Sequence, residues 1–414
     1  MRECKNTWIL GGTLLFCLVN TGLGWWMLNP LLSAAGGIGL CYVALRIALG
    51  AWRSRIAACN PQDAAEVPAT PPPRKPVDPT DTDGLIEQML EQGRCTLLLR
   101  SQIADTLSND QFRAALSALE ETMALVPDGE VVLGRIDASL DDGRLDDNEI
   151  VSARGRVIRV ERFFLDRYPV TNRQFYEFVI SGGYEQMPLW DESIWTAVLD
   201  LVDRTGQPGP YYWKNGCYLH GQENHPVVGI SWYEAVAYSR WAGKRLPTDA
   251  EWVKSGSWPV PLSPTSRVQR KFPWGDSMLE NRANLWSVGV GGIVSVDEFP
   301  KGVSVGGVYQ LIGNVWEWTA GAYRSEDHPN EDVVLPIPMK NIRGGAFDTY
   351  FDNQATCQFQ SGENPLGRRH NIGFRCAVGV CDLTLTGGNS ATEEPADTLP
   401  PVDTETPSTE EVPV

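Results

Sequence analysis

Histidine is nearly missing from this chain. Its 414 residues hold 4, at His220, His225, His328 and His370. A centre that needs three clustered imidazoles has little to draw on. His220 and His225 are near enough in sequence to share a metal across a turn, but the simpler reading leaves them exposed or satisfied in the core. Positive charge is also short: 35 Lys and Arg stand against 52 Asp and Glu, for a net charge of −17. Phosphate contacts need clustered Lys and Arg, so the charge balance argues against a nucleic-acid partner. Part of the imbalance is local. Residues 382–414 carry Asp382, Glu393, Glu394, Asp397, Asp403, Glu405, Glu410 and Glu411 with no Lys or Arg, the composition of an acidic disordered tail. None of the 9 cysteines forms a C-x-x-C pair, which removes zinc-ribbon and thioredoxin readings. Their odd number and scattered spacing fit a reducing compartment.

Glycine (40), proline (29) and tryptophan (15) are plentiful. That composition suits a loop-rich α+β fold built on aromatic packing. Residues 8–28 hold no charge and are long enough to cross a bilayer; Asn29-Pro30 separates them from a second apolar run at 31–52. Arg2 and Lys5 precede the runs, and Arg53 and Arg55 come after them. By the positive-inside rule, residues 1–55 form a transmembrane hairpin with both ends, and hence the large domain, in the cytoplasm. The rival is one spanning helix, with the second run interfacial and the domain outside. Residues 56–83 read as a Pro-rich linker, stiffened by Pro71-Pro72-Pro73.

Residues 84–122 read as a helical segment. Helical spacing holds over 84–107 through Leu85, Met89, Leu97 and Ile103. A second helix, capped by Ser108 or Asn109, is expected from Asp110 to Leu125. The segment is expected to pack on the large domain C-terminal to it, with dimerisation as the alternative. Acidic residues at 137–149 have the wrong spacing for an EF-hand and read as a solvated loop. Trp190, Trp195, Tyr211, Tyr212 and Trp213 form an aromatic insertion, expected to pack on the core and otherwise available for a peptide or sugar. Ser231 with Glu234, and Thr248 with Glu251, are capping-box pairs that start helices; Thr171 or Asn172 starts another.

The most informative run is residues 310–319, Gln-Leu-Ile-Gly-Asn-Val-Trp-Glu-Trp-Thr. Strand alternation puts Trp316 and Trp318 on one face and Glu317 on the other. A carboxylate held by rigid rings, with the Asn314 amide three residues earlier, suits a hard oxygen-ligated cation such as Ca²⁺. Other landmarks are Phe164 to Asn172, His225-Pro226-Val227-Val228, Trp241 to Thr248, Phe272-Pro273-Trp274-Gly275, Arg343-Gly344-Gly345 and Ile372-Gly373-Phe374-Arg375-Cys376. In this order the motifs resemble those of the formylglycine-generating enzymes, the sulfatase-modifying factor family, over about residues 123–381. The resemblance implies a loop-rich variant of the C-type-lectin-like fold at 123–381, after the helical segment and the transmembrane helices.

Active members of that family carry a C-x-x-x-x-C pair shortly after Arg-Gly-Gly, which binds copper and oxidises a substrate cysteine with O₂. Soft thiolates select Cu(I). Here the corresponding windows, 347–349 and 352–354, hold Phe347, Asp348, Thr349, Asp352, Asn353 and Gln354. Cys357 lies further along without a partner, and reads as a small buried hydrophobe. A copper-thiolate oxidase is therefore not expected, nor is the histidine-ligated iron of other relatives. The resemblance also implies two structural calcium sites, one from Asn284 with the Leu285 carbonyl, the other from Asn314 and Glu317. The expected protein is a membrane-tethered module that binds a peptide, glycan or partner protein. The alternative is an oxygen-dependent metalloenzyme with a new ligand set drawn from Asp348, Asp352, Cys357 and His370.

Overall fold

The computed structural model describes residues 68, 69, 71, 77–134, 156–261, 267–323 and 338–386. The apolar runs expected to form the hairpin, most of the linker, the acidic stretch at 137–149 and the tail beyond 386 lie outside the described residues. Among the described residues no helix is long and apolar enough to cross a membrane.

The helical spacing over 84–107 is broken into three pieces: α1 (Thr82–Glu91), α2 (Cys95–Leu98) and α3 (Ser101–Ala104). Next comes α4 (Asn109–Thr122), started by Ser108 in a capping box with Gln111. It stops three residues short of the expected Leu125. Met123–Val126 instead form β1 and pair antiparallel with β4 (Phe163–Asp166), Met123 opposite Asp166 and Val126 opposite Phe163. Burying this apolar run in a sheet outweighs one more helical turn.

On the other side of β4 lies β11 (Ala377–Gly379), completing a three-stranded sheet in the order β1-β4-β11. The helices pack on it: Leu98, Leu99, Phe112 and Leu119 share a buried cluster with Phe164 and Val378. Arg94 Nε donates to the Trp241 carbonyl at 3.0 Å, and Thr96 Oγ1 to that of Ala242 at 2.7 Å. The segment is thus docked on the domain. Between these strands in sequence, β2 (Gly129–Leu133) and β3 (Arg156–Val160) form an antiparallel pair, and a short antiparallel pair, β5 (Val260–Pro261) and β6 (Arg267–Val268), follows further along the chain.

A four-stranded sheet carries the tryptophan-rich run. Its order is β10-β7-β8-β9, formed by β7 (Trp316–Ala322), β8 (Lys340–Arg343), β9 (Gln360–Glu363) and β10 (Ile372–Phe374). Parallel pairing sets Glu317 opposite Gly373, and antiparallel pairing sets it opposite Arg343. Three capped helices surround this sheet: α5 (Asn172–Ile180), α6 (Trp232–Trp241) and α7 (Asp249–Ser257). Each starts in a capping box, at Thr171 with Gln174, Ser231 with Glu234 and Thr248 with Glu251. Aromatic rings fill the space between. Phe175 stacks on Tyr238 at 5.4 Å and meets Phe374 edge-on at 6.2 Å. Trp190 and Trp213 of the insertion are buried in the same cluster, while Trp195 and Tyr211 are exposed.

Candidate functional site

The Gly-Asn-Val-Trp-Glu-Trp run enters β7 through a tight turn. Gly313 has φ +80, and a Cβ there would stand 2.6 Å from the Asn284 carbonyl oxygen. Only glycine fits this approach. Asn314 comes next with φ 66, a left-handed conformation that asparagine tolerates. Its amide is fully used. Oδ1 accepts from Asn284 Nδ2 at 3.1 Å and Val294 N at 2.9 Å, while Nδ2 donates to the Val294 carbonyl at 3.0 Å and Gln310 Oε1 at 2.7 Å. Asn284 Nδ2 also donates to the Gly292 carbonyl at 2.8 Å, whereas its Oδ1 is buried without a partner. The Leu285 carbonyl accepts from Val288 N at 3.0 Å.

Glu317 is completely buried, not aimed at solvent from the far face of a strand. Arg375 grips it with both ends of its guanidinium, Nε to Oε2 at 2.8 Å and Nη2 to Oε1 at 2.6 Å. Trp252 Nε1 adds a third donor at 2.8 Å. The carboxylate already has its countercharge, and a divalent cation beside it would face a guanidinium. The side-chain oxygens of the expected Asn314–Glu317 calcium pair are engaged by protein partners in this structure. At Asn284 one neutral oxygen stays free, which falls well short of the ~6–8 oxygens that calcium takes. Among the described residues no three His, Cys, Asp or Glu side chains are grouped to hold a metal.

The other face of this sheet opens on a cavity of about 400 Å³. Trp316, Ile342 and Phe359 form its apolar side; Gln354, Arg369, His370 and Asn371 its polar side. Ser361, Gly362 and Glu363 of the edge strand β9 complete the wall. Arg369 is tied to Glu363 at 2.9 Å. His370 Nε2 lies 3.4 Å from Asp348 Oδ2, and Asn371 Nδ2 donates to both Asp348 oxygens at 3.0 Å.

Of the four residues weighed for an alternative ligand set, the structure brings together Asp348 and His370. Asp352 opens an exposed 3₁₀ turn, Asp352–Gln354. Cys357 lies in the interior instead, and a Cβ on Gly256 would stand 2.9 Å from its Sγ. Burial holds its thiol well above the usual range, against the pull of Arg343. That leaves it protonated and inert at neutral pH.

A profile of the sulfatase-modifying factor enzyme 1-like domain matches residues 109–380. The chain belongs to the sulfatase-modifying factor family. A formylglycine-generating enzyme of Thermomonospora curvata is 30% identical over 266 residues, spanning 54% of this chain and 84% of that one. A hercynine oxygenase of Mycolicibacterium smegmatis is 34% identical over 212 residues, 49% of this chain but only 46% of the oxygenase, so this chain spans less than half of that relative. An inactive C-alpha-formylglycine-generating enzyme 2 of Bos taurus is 30% identical over 257 residues, 54% of this chain and 80% of that one.

Copper, which the family implies, does not fit the residues present. In the windows after Arg343-Gly344-Gly345, Thr349 Oγ1 accepts the Ala346 N–H at 2.8 Å and Asp348 is held by Asn371. These are hard oxygen donors where Cu(I) needs sulfur. Sequence reasoning missed the partnerships: Arg375 and Trp252 reach Glu317 from distant motifs, and Gln310 closes on Asn314 from within the same run. The Gly-Phe-Arg-Cys motif marked Arg375 as a landmark, but nothing in the linear chain named its partner.

Proposed function

We propose that this sulfatase-modifying-factor-like domain is a binding module, tethered to a membrane by the apolar runs at 8–28 and 31–52, that works without thiolate-copper oxidation. The observation that carries this reading is the position of Cys357. It is the sole cysteine between Arg-Gly-Gly and Gly-Phe-Arg-Cys, and it is walled off behind Gly256 and away from solvent. No sulfur from this segment reaches the cavity under Trp316. The cavity itself keeps a form suited to recognition. An apolar side with Trp316 and Phe359 faces amide and charged groups, and β9 offers a strand edge beside it. An extended peptide added along β9, with one side chain in the cavity, uses both features. An inactive relative of similar identity supports a role for this fold apart from oxidation.

The test combines a cysteine-containing sulfatase peptide, copper and O₂ with the full chain. Mass spectrometry is expected to find no aldehyde product, while a labelled peptide library yields binders that Trp316→Ala weakens. Formylglycine in the product would refute the reading. So would selection of glycans with no peptide bound, as regards the ligand class.

A second reading rests on Asp348 and His370, which lie in contact at the rim of the same cavity. A carboxylate beside an imidazole suits a non-haem metal. Stoichiometric iron in protein loaded anaerobically, lost in Asp348→Asn, would favour it.

A further inference from the structure

A second cavity, of about 240 Å³, lies between the β1–β2 turn and the C-terminal end of α7. Val126, Pro127 and Gly129 line one side; Lys254, Trp258 and Pro259 line the other. Lys254 is the unusual member. It is only 5% exposed, and its Nζ has no hydrogen-bond partner. The Nζ stands 3.1 Å from the point where a Cβ on Gly129 would sit, so the absent side chain of Gly129 is what leaves room for the amine at this wall.

The other charged groups of the cavity are engaged. Asp128 meets Arg159 at 3.5 Å, and Glu130 has a partner of its own. The lysine alone among the lining charges is left over. Burial lowers its pKa, with Asp128 and Glu161 pulling up and Arg159 pushing down. A buried ammonium without an acceptor is costly and is normally paired. Trp258 adds a second irregularity. It adopts a left-handed backbone, φ 39, which is strained for a bulky residue. Its indole packs so closely on Gly306 that a Cβ there would be 2.7 Å from the ring. The indole is therefore a fixed wall, held in place beside the amine.

We propose that this cavity binds a small monocarboxylate with a flat apolar body. The carboxylate pairs with Lys254 Nζ after a small rotation of the flexible side chain, and the apolar body lies against Trp258, Pro127 and Pro259. A charge-assisted bond to the unpaired Lys254 amine supplies the orientation. A phosphate or dicarboxylate is disfavoured, because a single lysine neutralises one charge and Asp128 and Glu130 repel the second. This site is separate from the cavity under Trp316, and its test does not depend on peptide binding there.

Benzoate and its neutral analogue benzyl alcohol are titrated calorimetrically into the full chain and into Lys254→Met, which keeps the apolar stem. The wild type is expected to bind benzoate at least about tenfold more tightly than benzyl alcohol, as a charged hydrogen bond implies. In Lys254→Met the preference is expected to vanish while benzyl alcohol still binds, which also reports a folded cavity. Equal affinity of wild type for the two probes overturns the proposal, with no variant needed. So does a benzoate preference that survives in Lys254→Met.

Discussion

Replacing Arg375 by methionine tests the buried charge system directly. Arg375 and Glu317 are both inaccessible to solvent and lie 2.6 Å apart. The guanidinium also serves three carbonyls, those of Asp166 at 3.0 Å, Arg167 at 3.2 Å and Tyr309 at 2.8 Å. Arg375→Met leaves Glu317 with the Trp252 Nε1 donor and takes the guanidinium from those carbonyls, of which that of Arg167 keeps the Tyr309 N–H at 2.8 Å. Breaking a buried pair from one side costs ~3–5 kcal/mol. Glu317→Gln is milder, since the arginine keeps its carbonyls; ~1.5–3 kcal/mol matches the loss of a charged hydrogen bond. Adding Glu317→Leu to Arg375→Met should recover part of the loss, because the orphaned carboxylate goes with it. Denaturant midpoints of the full chain at constant slope give these differences. Repeating the wild-type curve with excess Ca²⁺ and with EDTA should leave the midpoint unchanged, as the oxygens of Glu317 are already taken. The reasoning fails if Arg375→Met stays within ~1 kcal/mol of wild type. It fails equally if EDTA destabilises wild type as much as Glu317→Gln does.

Lys244 and Asp166 form a second enclosed pair at 2.7 Å. Burial alone lowers the pKa of Lys244, but Asp166 outweighs it and the net shift is upward. A raised lysine pKa adds stability that is complete below the free value of 10.5 and fades only as pH climbs through the folded value. Lys244→Met should therefore cost ~3–5 kcal/mol at neutral pH, with the gap to wild type narrowing only at strongly alkaline pH. A gap that closes between pH ~6 and ~8 would contradict this. Lys254 behaves oppositely, because burial lowers its pKa. Lys254→Met should raise the unfolding free energy by ~1–3 kcal/mol at neutral pH, and the gain should disappear above the free lysine value; a loss of stability would count against an unpaired amine. Alkylation of the native chain with iodoacetamide should modify exposed Cys381 and spare Cys357. Equal labelling of the two, read by peptide mass spectrometry, would place Cys357 in reach of solvent.

Local chemistry made much of this fold legible. Ser231 with Glu234 and Thr248 with Glu251 start their helices as expected, because a capping box is closed by residues three apart and needs no distant partner. Where α4 stops was not legible. Helical spacing continues to Leu125, but β4 waits some forty residues further on and claims Met123–Val126. Chemical identity likewise settled the nature of the segment after Arg343-Gly344-Gly345: without two cysteines there is no sulfur pair, in any fold. Gly344 itself, at φ +97 with the Leu311 carbonyl where its Cβ would be, shows why that motif needs glycine.

The linear chain, then, determined family membership through ordered motifs, the helix starts and the lack of a cysteine pair after Arg343-Gly344-Gly345. Each depends on residue type and short spacing. The tertiary structure decided what each charge faces. Glu317 reads in sequence as a free ligand for a hard cation; folded, it meets Arg375, 58 residues away. Lys254 lies in the last turn of α7, where the β1–β2 turn packs against it and its amine has no hydrogen-bond partner. Electrostatic energy depends on distance and burial, and both are set by contacts between segments that sequence spacing keeps apart.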